Sequence, residues 1–295
     1  MHVKGNLAVK KRLTGKKYVV LYGSTIYRTA WSNPMSIIRS VERALRVLDL
    51  FSVSSNRLGI AEISRELGLA KGTVQGLVKT LASEGLLSQD AATQKYQLGP
   101  KVYELGVIFG KSFEVNQKAL VLADDIAKRQ KLIVRIGIWD RGSVLVTLNA
   151  HARVGLVPAG DFPLRVPAYC TGLGKALVAF FDQKELELYI EQTELNAYTP
   201  NTIIDKNELR EELKLIKARG YSISKEEHWL HRGAIAAPIF GRNDSPVASI
   251  ALVGDPNRFL GDEKEKLIIE LMDASREISE NMGYSRFRDR HKPFR

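Results

Sequence analysis

The feature that most constrains this chain is a pair of short amphipathic helices joined through a glycine. From Ile60 to Leu67 the apolar residues Ile60, Ile63 and Leu67 recur at helical spacing, and Gly68 follows where a helix commonly ends in a left-handed residue. The pattern repeats from Lys71 to about Glu84 with Val74, Leu77, Val78 and Leu81, and Gly85 stops it. Upstream, MSIIRSVERALRVLDLF reads as a third helix. Its apolar stripe is Val41, Ala44, Leu45, Leu48 and Phe51, and Ser36 or Ser40 is the expected cap. Downstream, LLSQDAATQKYQLG reads as two short strands around a polar turn.

Two helices around a tight glycine turn form a helix-turn-helix, with the strand pair as a wing. On the second helix the face opposite the packed one centres on Gly72, Gly76, Lys79 and Ser83. Thr73, Gln75 and Thr80 flank that face. A helix free on one side can enter a major groove, which is about 12 Å wide. Gln75 then suits an adenine edge, and Lys79 suits guanine or phosphate. Lys71 and Thr73 at the helix start, Thr80 on the flank and Lys95 in the wing suit the phosphate backbone and its surroundings.

The rest of the 295 residues supplies a second domain. Residues 100–112 read as a linker helix. Beyond them LIVRIGIWDRGSVLVTLNA is a hairpin around Asp140-Arg141-Gly142, and GAIAAPIF with VASIALVG is another. TGLGKALVAFF, KNELREELKLIKARG and FLGDEKEKLIIELMDASREISENMG read as helices, which makes this half α+β. The expected layout is a basic extension without fold at 1–34, a winged helix-turn-helix at 35–99, the linker at 100–112, a second domain at 113–283 and a basic tail at 284–295. Net charge is +11, but residues 1–35 carry +7 of it and residues 113–295 only +1, so charge by itself is a weak argument for a polyanionic partner. The single cysteine, Cys170, allows no intrachain disulfide and fits a reducing cytosol. No apolar run reaches the roughly 20 residues that span a bilayer, so the expected location is cytoplasmic, with no membrane partner.

The runs VERALRVLDLF, LGIAEISRELGLAKGTVQGLVKTLASEGLL and KYQLG resemble the DNA-binding half of the IclR family of bacterial transcriptional regulators, over residues 37–99 and without gaps. TGLGKALVA, GYSISKEEH, GAIAAPIF and VASIALVG resemble that family's effector domain, which is related to GAF and PAS folds. The resemblance implies a regulator whose operator binding responds to a small molecule. It implies an α+β chain: a winged helix-turn-helix, a linker helix, and an antiparallel sheet flanked by helices. The chain departs from the family at Gly72 and Gly76, where relatives usually carry Ser and Arg. The operator sequence is therefore not inherited.

Thr171 opens the helix TGLGKALVA and can cap it, leaving amides that suit an anion. By matched positions the resemblance implies that Gly172 and Leu173 present amides to the effector, that Ser224 is a polar pocket residue, and that Ala234, Ala251 and Val253 line the pocket from strands. All three strand positions are apolar, which favours a larger or more apolar ligand such as an aromatic acid. No cofactor and no metal are expected: Cys170, His228 and His231 read as a buried thiol and ordinary histidines. The alternative, an enzyme using Cys170 with a nearby histidine, lacks an evident third group. One recognition helix reads only a few base pairs, so the chain is expected to pair with itself on repeated half-sites of double-stranded DNA. Val102, Leu105, Ile108 and Phe109 of the linker helix are the expected contacts.

Overall fold

A computed structural model describes residues 19–22, 25–28, 37–52, 54–151, 155–156 and 163–285. The expected basic tail lies almost wholly outside the described residues, as does most of the N-terminal extension. Within that extension two strands are nevertheless formed, β1 (Val19–Tyr22) and β2 (Thr25–Arg28), paired antiparallel. The expectation of an extension without structure is corrected to that extent. VVLY and TIYR are rich in β-branched and aromatic residues, which favour strands.

The first domain is α1 (Arg39–Leu48), α2 (Ile60–Leu67) and α3 (Lys71–Ser83), followed by the wing β3 (Leu87–Gln89) and β4 (Tyr96–Leu98). Glu62 reaches back to the Gly59 amide at 2.6 Å to start α2, and Gly68 ends it at φ 64°. The small core is Val47, Ile63, Val74, Val78, Leu81, Leu87 and Tyr96. Helix α1 starts later than expected, at Arg39, and its N-cap is Ile38 with no side-chain cap bond, so Ser40 does not cap it, while Ser36 lies outside the described residues. Its buried residue is Val47, whereas Val41 and Leu45 are exposed with Ile37 and Ile38. The apolar stripe is wider than the face that α2 and α3 can cover.

α4 (Pro100–Lys111) links this unit to the second domain, with proline in its first turn, and buries no residue of its own. The second domain has one antiparallel sheet. Its strands are β5 (Ile133–Asp140), β6 (Ser143–His151), β7 (Gly155–Leu156), β8 (Arg165–Pro167), β9 (Ser222–Lys225), β10 (Gly233–Phe240) and β11 (Pro246–Gly254). The order is β7-β6-β5-β11-β10-β9, with β8 also on β6. Arg141 and Gly142 both hold positive φ, 50° and 79°, as the two-residue turn between twisted strands requires. Alternation along the strands gives each face its own core. Val134, Ile136, Ile235 and Leu252 meet α5 (Glu114–Gln130) and α9 (Lys264–Asn281). The other face meets α6 (Gly172–Val178), α7 (Gln183–Gln192) and α8 (Lys206–Arg219). Among the described helices none is long and apolar enough to cross a membrane.

Candidate functional site

On α3 the packed and free faces fall where helical spacing puts them. Val74, Val78 and Leu81 are buried, and Lys71, Gly72, Thr73, Gln75, Gly76, Lys79, Thr80 and Ser83 are exposed. A Cβ at Gly72 or Gly76 would meet nothing within 4 Å, so both glycines leave a shallow surface rather than answer a packing need. Two of the expected DNA residues are already engaged. The Thr80 hydroxyl donates to the Gly76 carbonyl at 3.0 Å, and the Lys95 ammonium sits 3.1 Å from Glu62. The Glu62–Lys95 pair ties the wing to the start of α2. Glu62 is held below its usual carboxylate range by the Gly59 amide first and Lys95 second.

The second site lies between α6 and the sheet. Adjacent strands present one row of small residues toward α6: Ser224 opposite Ala234, Ala234 opposite Val253, and Ala236 opposite Ala251. Helix α6 rides close on this row. A Cβ at Gly172 would come within 3.2 Å of the Ala234 methyl, and one at Gly174 would overlap the backbone of Ala168. Ser222 donates to the Gly172 carbonyl at 2.7 Å and Ser249 to the Leu173 carbonyl at 2.9 Å, which pins the first turn. Thr171 caps α6, accepting from the Gly174 amide at 3.3 Å, and donates to the Pro167 carbonyl at 2.6 Å. Lys175 is buried, with Glu227 at 2.6 Å and the Ile223 carbonyl at 3.0 Å. It serves as a strut between α6 and the segment after β9.

These elements enclose a small cavity of about 50 Å³, part of it open to solvent. All seven residues expected from the sequence line it: Thr171, Gly172, Leu173, Ser224, Ala234, Ala251 and Val253. Sequence reasoning missed Arg135, Trp229 and Arg232, and it had set His228 aside. The signal for Arg135 was available: one charged residue inside the otherwise apolar strand LIVRIGIW. Burial and the Arg135 charge press His228 down to about 4, so it is a neutral ring at pH 7. His231 points to solvent beside Glu226, and the stretch from Glu226 to Arg232 is not helical, so the two histidines do not share a helix face. Cys170 is fully buried and its thiol is pushed up to about 12, chiefly by burial and then by Glu227. That is opposite to what a nucleophile needs.

A winged helix-turn-helix joined by one helix to a domain with a small-molecule cavity defines a ligand-responsive transcriptional regulator. Residues 40–91 match the IclR helix-turn-helix domain, and residues 110–280 match the bacterial transcriptional regulator IclR C-terminal domain. The chain belongs to the IclR family of bacterial transcriptional regulators. It is 32% identical over 252 residues to the glycerol operon regulatory protein of Streptomyces coelicolor, covering 85% of this chain and 98% of the relative. The crystal structure of the Thermotoga maritima IclR superposes with a TM-score of 0.68 at 26% identity, covering 84% of this chain and 100% of the other. An IclR homologue of Microbacterium hydrocarbonoxydans, solved with 4-hydroxybenzoate, shares the fold with a TM-score of 0.72 at 20% identity, covering 82% and 98% of the two chains.

Proposed function

We propose that this regulator reads its operator with the exposed face of α3 and releases or tightens that grip when an organic acid fills the cavity beneath α6. Gln75 reads a base edge and Lys79 a guanine or phosphate. Lys71, Thr73 and Thr80 hold the backbone, joined by Lys95 once it leaves Glu62. Thr171, Gly172, Leu173, Ser224, Ala234, Ala251 and Val253 contact the ligand. The observation that carries the reading is the convergence of those seven residues, drawn from α6, β9, β10 and β11, on one cavity. The protein works in the cytoplasm as a dimer or tetramer on repeated half-sites, and its one thiol, buried and held protonated, does not serve as a nucleophile.

The test is binding to the DNA upstream of its own gene, set against random DNA, over a range of salt. Gln75→Ala is expected to lose about 1–3 kcal/mol of discrimination at one base position. Lys79→Ala is expected to weaken binding to all sequences and to flatten the salt dependence by about one unit of slope. If both variants bind the operator like the parent, the assigned face of α3 is wrong.

A further inference from the structure

The cavity beneath α6 is small because its borders are held. Ser222 and Ser249 pin the first turn of α6 to the sheet, and Ala234 and Ala236 let that turn ride close. The segment after β9 is tied down as well. Glu227 bonds to the buried Lys175 at 2.6 Å, Thr202 donates to the Glu227 carbonyl at 2.6 Å, and Thr199 donates to the Glu226 carbonyl at 2.6 Å. A space of about 50 Å³ has room for roughly three to five water-sized atoms, too few for an aromatic ring. The space does not end there. Val166, His228 and Trp229 line the cavity and also an adjoining open cleft of about 560 Å³. That cleft is walled by rings. Tyr169 is fixed at its hydroxyl, which donates to the Asn196 carbonyl and accepts from the Asn196 amide, both at 2.8 Å. The Tyr198 ring centre stands 6.4 Å from that of Tyr169 and 4.7 Å, edge-on, from that of His228, which in turn lies 4.1 Å from the Trp229 ring. The buried Nδ1 of His228 meets no hydrogen-bond partner among the described residues, whereas buried polar atoms are normally met.

We propose that the cavity and the cleft are one two-part site for an arylalkanoic acid, a carboxylate carried on a short carbon tether from an aromatic ring. The carboxylate end enters the cavity past Val166 and lies against Ala234, Ala251 and Val253, with one oxygen accepting from His228 Nδ1. The ring is too large to follow. It stays in the cleft, packed against the rings of Tyr198 and Trp229. This rests on the cavity being the effector site for an organic acid, and it deepens that reading by giving the ligand its shape. The inner space sets the size of the head, the ringed wall sets the nature of the body, and the wall shared by the two sets the need for a tether. An acid borne directly on a ring cannot fill both parts at once, and a short aliphatic acid fills only the inner one.

The experiment is calorimetric titration of the full chain with benzoate, phenylacetate, 3-phenylpropionate and butyrate. Phenylacetate or 3-phenylpropionate is expected to bind about tenfold or more tighter than both benzoate and butyrate. Tyr198→Ala and Trp229→Ala, at positions 50% and 36% exposed, are expected to weaken that tethered acid by about tenfold. Tyr198→Phe should keep its affinity, because the contact needs the ring and not the hydroxyl. Benzoate or butyrate bound as tightly as the tethered acids overturns the two-part site. So does undiminished binding of the tethered acid in both alanine variants, or no binding of any of the four probes. Val253→Phe, which fills the inner cavity without adding charge, separates the two readings. A tethered acid lost in Val253→Phe but indifferent to Tyr198→Ala and Trp229→Ala leaves the effector site standing and removes the cleft from it. A tethered acid bound equally by the parent and Val253→Phe places the effector site elsewhere.

Discussion

At the scale of single residues, the surroundings of each side chain decide its chemistry more than its type does. Lys175, in a GLGK run that reads superficially as a phosphate loop, is a buried strut bonded to Glu227. His228 is neutral because burial and Arg135 both disfavour its charged form. Its folded value, about 4, lies below the ordinary 6.5. Between those limits the unfolded chain takes up a proton that the folded protein refuses, so stability contributed at this position is present above pH 6.5 and is lost as pH falls toward 4. Melting temperature is expected to drop through that window, and His228→Gln should flatten this part of the slope. A parallel pH dependence in the variant would assign the loss to other groups. Gly76 lies exposed in mid-helix with nothing near its missing Cβ, so Gly76→Ala should stabilise the protein by about 1 kcal/mol in denaturant titration. No gain would mean that the α3 backbone is held by something other than its own propensity.

At the scale of elements, α4 is expected to be covered by a second copy of the chain. It is twelve residues long, buries none of them, and exposes Tyr103, Leu105, Val107, Ile108 and Phe109. Helices of that length are marginal in water unless an apolar face is packed. The exposed strip of Ile37, Ile38, Val41 and Leu45 on and before α1 is a second such face. Ile108, at 67% exposure, is therefore expected to sit in a contact between two copies. Ile108→Asp should shift the protein toward monomer in sedimentation at micromolar concentration and reduce operator affinity. A variant that stays a dimer and binds DNA normally would remove α4 from the interface. Val102 is half-buried in the single chain, so of the four expected contacts it offers the least.

At the scale of the whole molecule, a ligand cavity and a DNA-reading helix share one chain through α4, so the two binding events are expected to be coupled. The expected size is about 1–3 kcal/mol, a change of several-fold to about a hundredfold in operator affinity at saturating ligand. The coupling must be reciprocal: operator DNA must alter ligand affinity by the same factor. Parallel titrations of DNA with ligand present and of ligand with DNA present check this, and unequal factors would contradict a simple two-state linkage. Val253→Asp should abolish the response while leaving DNA binding without ligand intact, because its charge opposes an anion in the cavity and lies far along the sequence from α3.

The helix-turn-helix, the free face of α3, the hairpin turn at Arg141-Gly142 and the seven cavity residues were legible in the sequence. The first three and Thr171 follow from short-range rules, namely apolar period, glycine where φ is positive and a helix cap, whereas the other six cavity residues came from positions matched to the family. Sequence reasoning also drew the apolar stripe of α1, but could not say which part of it would be covered. That depends on where α2 and α3 lie, and they reach Val47 but not Val41 or Leu45. Arg135 is the sharper case. In the sequence it is one charge in an apolar strand. Only the order of strands sets β5 against β11, turns Arg135 to the α6 face and brings it to Arg232, nearly a hundred residues away. Local pattern fixes what each segment becomes, whereas the meeting of distant charges across a sheet is set by strand order and register, which the sequence carries only through the packing of the whole.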